Sequence, residues 1–388
     1  MIRVLQIAVI ADDITGAADT GVQFCPVVGP IHLASAADGS FSTVIQTAGL
    51  SVFTDTRNVD SATATKRVRA TGEMIRCLNP RLVYKKIDSC LRGNVGAEID
   101  ALLQTIRAAA SFVAPALPQQ GRTTVNGVHR VNGVPVAETE IGRDPLCPVR
   151  ESRLSVLLSS QSRLPVGHVD LACIENGPAA MVDRVRMLLN RGCRHITFDA
   201  EQTVHLDAVN RIARDHFEKI LLVGSAGLAG SLSRMMAGEL PIPAAADRPG
   251  IAKWLFVCGS SSRVLADQVA MLTRSTSWAC HMLDRFVMAS NQGSAKRGKH
   301  LAGLMDAWLR GSLIIGLKPI FDTGPTESPD RVVRGLAKVA AALLTAEASE
   351  GLFLSGGDTA ESVRRQVAAS ALLIREEILP GLVLGELV

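Results

Sequence analysis

Two adjacent carboxylates, Asp12 and Asp13, stand one residue beyond the apolar run Leu5–Ile10, in the stretch ADDITGAADTG that Ala11 opens. A run of that length and composition reads as a buried strand, so both carboxylates sit at the edge of a core. Taking a carboxylate out of water is costly unless a cation or a hydrogen-bond donor meets it. Asp12 and Asp13 therefore either cap the helix that follows or meet a substrate. A second polar cluster, YKKIDSCLRGNVGAEID, gathers Lys85, Lys86, Asp88, Ser89, Arg92, Asn94 and Glu98 at a strand-to-helix junction. Strand alternation puts Lys86 and Asp88 on one face and Lys85 on the other. Arg92 supplies a planar fork suited to a carboxylate or a phosphate. Arg57, in TDTRNVD, adds a cation after another strand.

Glycine-rich turns form a third element. LLVGSAGLAGSL, FVCGSSSRVLADQV and LFLSGGDTAESV each run from an apolar strand into small residues and then a helical pattern. Helix N-termini at the carboxyl ends of strands offer free N–H groups to anions. There is no Walker A sequence, since Gly298-Lys299 is followed by His300 and lacks the earlier glycine. Gly224, Gly227 and Gly230 do not match the GxGxxG dinucleotide fingerprint, and close helix–strand packing explains them about as well. In Gly356-Gly357-Asp358-Thr359, two glycines let backbone approach phosphate and Thr359 can cap a helix while bonding an oxygen. A cationic pocket, a carboxylate pair and anion-binding glycine turns together suit phosphoryl transfer from a nucleotide to a hydroxyl. Asp12 or Asp13 is then a base or an orienter of substrate hydroxyls.

The elements that must position these groups alternate as short apolar runs and helical patterns, the signature of α/β layering with mainly parallel strands. Strands are expected at 5–10, 43–45, 51–54, 82–87, 111–114, 166–169, 195–198, 219–223, 254–258, 313–316 and 352–354. At 388 residues the chain calls for two domains. The Pro-, Gly- and Ala-rich stretch 238–250 reads as a linker between a first domain, 1–237, and a second, 251–388. Between Pro115 and Pro148, VNGVHRVNGVPV signals a hairpin, and such an excursion is often a lid or a site wall.

Composition narrows the class. With 47% apolar and 20% charged residues the chain is globular, and a net charge of +4 without a Lys/Arg stripe argues against nucleic acid. Eight cysteines without a CxxC pair fit reduced thiols in a cytoplasmic protein better than disulfides or zinc. The amino terminus shows no secretory signal, and no apolar stretch reaches the length of a membrane span.

The sequence resembles the four-carbon acid sugar kinase family over nearly its whole length. The resemblance rests on ADDITGAADTGVQF (11–24), KKIDSCLRGNVGAE (85–98), PALPQQGRTTVNG (115–127), DPLCP (144–148), VGSAGLAG (223–230), CGSSSRVLADQ (258–268) and SGGDTAESV (355–363). It implies an ATP- and Mg2+-dependent kinase that phosphorylates the terminal hydroxyl of threonate, erythronate or a 3-oxo relative in a cleft between two α/β domains. Carried over, the acid site uses Asp12, Asp13, Arg57, Lys86, Ile87, Asp88, Ser89 and Arg92, with Asp12, Lys86 and Asp88 as the catalytic set. The nucleotide site uses Ser260, Gly356, Gly357, Asp358 and Thr359. ADTGVQF looks closer to the threonate type than to the 3-oxo-tetronate type. Such two-domain kinases often pair, which leaves room for a homo-oligomer.

This chain departs from the family pattern at Cys90, where a Thr is usual, and at its end. Family members continue past EEILPGLVLGEL into a Lys- and Gly-rich nucleotide-holding stretch, so either a weakened nucleotide site or another loop in its place is expected. The rivals are a dehydrogenase or metal aldolase, opposed by the missing GxGxxG and the missing His/Glu metal cluster, and a non-catalytic sensor that binds the acid and ignores ATP.

Overall fold

The computed structural model describes residues 5–37, 47–144, 146–237, 253–260, 263–289, 294–318, 328–346 and 351–388. Met1–Ala245 with Ser370–Val388 cluster as one compact unit and Ala246–Ala369 as another. The expected linker 238–250 and the expected strand 43–45 lie outside the described residues.

In the first unit, β1 (Ile7–Ala11), β2 (Ile31–Ser35), β3 (Gly49–Phe53), β4 (Leu82–Lys86) and β5 (Ala110–Ala114) alternate with helices. A three-stranded excursion follows as β6 (Arg122–Val125), β7 (Val128–Val131) and β8 (Val134–Pro135). The chain then returns through β9 (Val166–Val169), β10 (His195–Phe198) and β11 (Ile220–Gly224). The second unit holds β12 (Trp254–Cys258), β13 (Ala279–Leu283), β14 (Leu313–Leu317) and β15 (Gly351–Ser355). A closing hairpin, β16 (Ala371–Leu379) and β17 (Leu382–Leu387), leaves it.

The large sheet runs β17-β16-β2-β3-β1-β4-β11-β5-β10-β9. Its inner strands are parallel, and β1, β3 and β5 are buried along their whole length. Parallel strands covered on both faces read as continuous apolar runs, which is why β1 is Ile-Ala-Val-Ile-Ala. From β1 the chain first moves to β2 and β3 on one side, then to β4 on the other. That reversal opens a crevice at the carboxyl ends of β1, β3 and β4, the position where doubly wound sheets take ligands.

The sequence division put residues up to 388 in the second domain, but β16 pairs antiparallel with β2 of the first unit. Its residues Ala371 and Ile374 are buried there. Pairing between strands so far apart in sequence leaves no local signal.

The smaller sheet, β13-β14-β12-β15, is all parallel. Leu255, Val257, Leu313, Ile315 and Trp308 sit in one apolar cluster on one of its faces. Here too the chain leaves central β12 toward one side and returns on the other as β15, so the ends of β12 and β15 flank a second switch point.

The excursion is anchored. Buried Asp199, after β10, accepts from the Asn126 and Gly127 amides at 2.8 and 2.9 Å and from the Leu171 amide at 3.0 Å. All eight cysteines are free. No helix among the described residues is long and apolar enough to cross a membrane.

Candidate active site

Three strand ends converge at the first switch point. β1 delivers Asp12 and Asp13. Asp13 is the N-cap of helix α1 (Ile14–Gln23), accepting from the Gly16 amide at 2.9 Å and from the Thr15 hydroxyl. A carboxylate at that position also complements the helix dipole. Beyond β3 the backbone stays beside β1, with the Thr56 amide donating to the Asp12 carbonyl at 2.9 Å. Asn94 pins the loop by donating to the carbonyls of Thr56 and Val59. Arg57 is thereby held between the carboxylates. Its Nε donates to Asp12 Oδ2 at 2.6 Å, one terminal nitrogen donates to Asp13 Oδ1 at 2.7 Å, and that nitrogen lies 3.6 Å from Asp88 Oδ1.

β4 delivers the rest. Period-two alternation is realised as expected. Lys85 turns to the helix Val95–Ile106 and pairs with Glu98 at 2.7 Å, both side chains fully buried, while Lys86 turns to α1. Arg92 grips Asp88 with two nitrogens at 2.9 and 3.1 Å, and the Cys90 and Arg92 amides add donors at 3.2 Å. The tight turn brings Gly93 (φ 99°) so close that a Cβ there would lie 3.5 Å from Asp12 Oδ2. His129 Nε2 meets the Ser89 carbonyl at 2.7 Å, so the excursion buttresses this loop.

Electrostatics follow from these contacts. Burial pushes the Asp12 and Asp88 carboxyls up, but Arg57 on both, then Lys86 on Asp12 and Arg92 on Asp88, outweigh it and hold both below the usual carboxylate range. Burial likewise disfavours the Arg57 cation, and Asp12, Asp13 and Asp88 more than restore it. Asp19 goes the other way, raised by burial against the pull of Lys86.

Among the described residues, open valences remain on Asp12 and Lys86, and Glu98 Oε1 is also buried without a partner. Asp12 Oδ1 is buried without a hydrogen-bond partner. The Lys86 residue is 3% exposed, and its ammonium group forms no hydrogen bond or ion pair with any described residue. A buried acceptor beside a buried cation, next to Arg57, complements a ligand that donates a hydroxyl and carries negative charge.

The expected nucleotide residues also come together. The Ser355 carbonyl accepts from the Gly259 amide at 3.3 Å, linking the ends of β12 and β15. Gly356 (φ 100°) lies beside the Ser260 amide and opens the ten-residue helix Gly357–Gln366. Thr359 is buried in that first turn, and a Cβ on Gly259 would stand 1.8 Å from its hydroxyl. Such a side-chain-free cradle at a helix N-terminus suits phosphate.

Of the other expected acid-site residues, Asp13 caps α1, the Ile87 side chain is buried in the core and Ser89 offers its carbonyl to His129. Sequence reasoning left Asp19, His129 and Cys147 unassigned. Cys147 accepts from the Gly93 amide at 3.0 Å. Asp19 was legible in principle as the third acid of ADDITGAAD, once α1 is known to begin at Ile14.

Fold and site thus define a two-domain α/β protein with a buried cluster of cations and carboxylates in one unit and a glycine-lined helix N-terminus in the other. Models of a sugar-binding N-terminal domain and a nucleotide-binding C-terminal domain match residues 7–232 and 255–388. The chain belongs to the four-carbon acid sugar kinase family, whose members are ATP-dependent phosphotransferases. It is 30% identical to a D-threonate kinase of Bordetella bronchiseptica, across 98% of this chain and 90% of that protein. Against a D-erythronate kinase of Heliobacterium modesticaldum the identity is 27%, with the same coverage. Against a 3-oxo-tetronate kinase of Escherichia coli it is 26%, across 97% and 99%. A Salmonella typhimurium crystal structure, named for a suggested tRNA synthase, has the same fold at a TM-score of 0.83 and 23% identity, across 99% and 93%. A Bordetella bronchiseptica structure, a domain-swapped dimer with bound citrate, is 28% identical at a TM-score of 0.52, across 98% and 90%.

Proposed function

We propose that this chain transfers the γ-phosphoryl group of ATP to the 4-hydroxyl of D-threonate or D-erythronate. The carrying observation is the pair of open valences, Asp12 Oδ1 and Lys86 Nζ, beside an arginine already held by three carboxylates. A sugar acid answers both, since a hydroxyl donates to Asp12 and a negative group meets Lys86 and Arg57. The curated relatives act on four-carbon acids, and the citrate in the Bordetella bronchiseptica structure is a hydroxy acid as well.

Within this reading each residue has a physical task. Arg57, fixed by Asp12, Asp13 and Asp88, cannot swing away and so gives the anion a preorganised partner. Asp88 keeps Arg92 in place, and the Ser89 loop is held by His129. Lys86 supplies positive charge as negative charge develops on the transferred group. On the nucleotide side, the amides around Ser260 and the Gly356-Gly357-Asp358-Thr359 turn cradle phosphate oxygens.

Mg2+ fits as a companion of the nucleotide. Among the described residues no cluster of three His, Cys, Asp or Glu side chains could cage a metal, and Mg2+ in such enzymes takes most of its ligands from phosphate and water. Pairing into a homo-oligomer is proposed from the domain-swapped dimer of the Bordetella bronchiseptica protein.

The test offers D-threonate, D-erythronate and L-threonate separately with ATP and Mg2+ and follows ADP release. Turnover on D-threonate or D-erythronate, lost in Asp12→Asn and Lys86→Met, is the expected result. Absence of ADP with both of these acids would overturn the reading.

A further inference from the structure

Phosphoryl transfer to an alcohol needs a group that takes the hydroxyl proton, with open lone pairs within reach. The strand-end carboxylates are largely spoken for. Asp88 accepts from Arg92 with both oxygens and from two backbone amides. Asp13 is occupied by the Gly16 amide, the Thr15 hydroxyl and Arg57. Asp12 gives Oδ2 to Arg57 at 2.6 Å, which leaves one oxygen to orient a hydroxyl and makes it a weak base.

Asp19 differs. It lies on α1 between Gly16 and Gln23, three residues from one and four from the other, so the helical repeat places all three on one face. Gly16 abuts Lys86 Nζ, and Gln23 reaches Glu377 of β16 at 3.0 Å. The charged groups that face Asp19 are Lys86 of β4, Glu377 of β16, Asp13 and Arg122 of β6. Its carboxylate is half-buried and forms no hydrogen bond or ion pair with any described residue. It shares with Lys86 the property of a charged side chain without a hydrogen-bond partner among the described residues, on the same side of the sheet. Burial, helped by Glu377 and Asp13, also makes it more basic than an ordinary aspartate, against the pull of Lys86 and Arg122.

We propose that Asp19 is the proton acceptor of the reaction. The acceptor hydroxyl oxygen bonds to the γ-phosphorus, and the bond from that phosphorus to the bridging oxygen breaks. ADP departs with the electron pair, and the hydroxyl proton passes to the Asp19 carboxylate. Lys86, between Asp19 and the strand-end carboxylates, holds the anions of this exchange together. The inference rests on the kinase reading and adds to it the identity of the base.

The experiment compares wild type, Asp19→Asn, Asp19→Glu and Asp19→Ala on whichever four-carbon acid wild type phosphorylates. Binding of the acid is measured separately by calorimetry. Asp19→Asn is expected to bind the acid within about threefold of wild type while kcat falls by roughly 100-fold or more, the usual loss on removing a general base. The fall of kcat on acidification should disappear with it. Asp19→Glu should retain more activity than Asp19→Asn, and added formate should raise the turnover of Asp19→Ala, which a purely structural role would not allow. A kcat within threefold of wild type in Asp19→Asn overturns the proposal. So does a loss fully accounted for by weaker acid binding. If Asp19→Asn does not fold, the formate response of Asp19→Ala decides. If wild type itself releases no ADP, the kinase reading falls and takes this inference with it, an outcome distinct from an active wild type with an active Asp19→Asn.

Discussion

A Cβ on Gly16 would stand 2.3 Å from Lys86 Nζ and 2.6 Å from Asp13 Oδ1. The third residue of α1 is therefore a glycine because the ammonium group occupies the space a side chain would take. In a helix, Gly→Ala ordinarily stabilises by up to about 1 kcal/mol. Here Lys86 must move instead. Gly16→Ala is expected to raise the KM for the acid about tenfold or more while the thermal midpoint stays within about 4 °C of wild type. Steady-state kinetics beside a melting curve checks it. An unchanged KM would mean that Lys86 does not bind the acid from this position.

That contact was out of reach of the sequence, and its neighbours were not. The alternation of Lys85 and Lys86 follows from period two alone, and Asp13 capping α1 follows from its place between a strand and a helix. Arg57 gripping Asp12 and Asp13 required knowing that β3 pairs with β1, which no local pattern states. β2, which begins directly after Pro30, reads Ile-His-Leu-Ala-Ser, and its histidine and serine break the apolar run that would mark a buried strand. β16 and the edge strand β17 are half-exposed and carry charges, so they lack the apolar run that marked β1 or β5. Their docking on β2 is a long-range event.

Arg57 holds buried carboxylates, and removing one partner of such a group typically costs about 3–5 kcal/mol. The folded-state pKa values of Asp12 and Asp88 lie below the ordinary value of about 3.9. A lowered carboxylate pKa contributes stability that is full above the unfolded value and is lost as pH falls through the folded one. Wild type should therefore lose this contribution only below about pH 4. In Arg57→Ala the burial of Asp12 and Asp88 is less well opposed, and protonation relieves the uncompensated charge. Urea unfolding at pH 7 and at pH 4.5 should show the deficit of Arg57→Ala shrinking on acidification. A deficit that grows would contradict the pairing argument.

The nucleotide cradle has its own steric test. A Cβ on Gly259 would overlap the Thr359 hydroxyl, and Thr359 is buried in the first turn of its helix. Gly259→Ala should push that turn away from Ser260 and weaken ATP binding by about tenfold or more, the equivalent of one good hydrogen bond to a charged group. Binding of the acid, proposed for the other unit, should not change. Calorimetric titration with each ligand separates the two effects, and a parallel loss of both would point to general unfolding.

His129 ties the excursion to the Ser89 loop, and its burial predicts that this tie depends on pH. The Ser89 carbonyl can only accept, so Nε2 carries the proton and Nδ1 accepts from the Thr124 hydroxyl at 3.0 Å. Burial holds this imidazole neutral and brings its pKa down to about 4, although the Ser89 bond and Asp88 favour the charged form. A lowered histidine pKa means that the unfolded chain binds the extra proton first. Stability is therefore full above about pH 6.5 and declines as pH falls toward 4, by about 3 kcal/mol from this residue. His129→Gln keeps an N–H for Ser89 but does not titrate, so its stability should fall less steeply over that window. His129→Leu leaves the Ser89 carbonyl buried without a donor, and should raise the KM for the acid more than His129→Gln does. Chemical denaturation at several pH values, with acid kinetics on the same variants, reads both. Equal pH slopes in wild type and His129→Gln would show that this histidine stays neutral in the unfolded chain or charged in the folded one, and the buttress would then owe nothing to its neutrality.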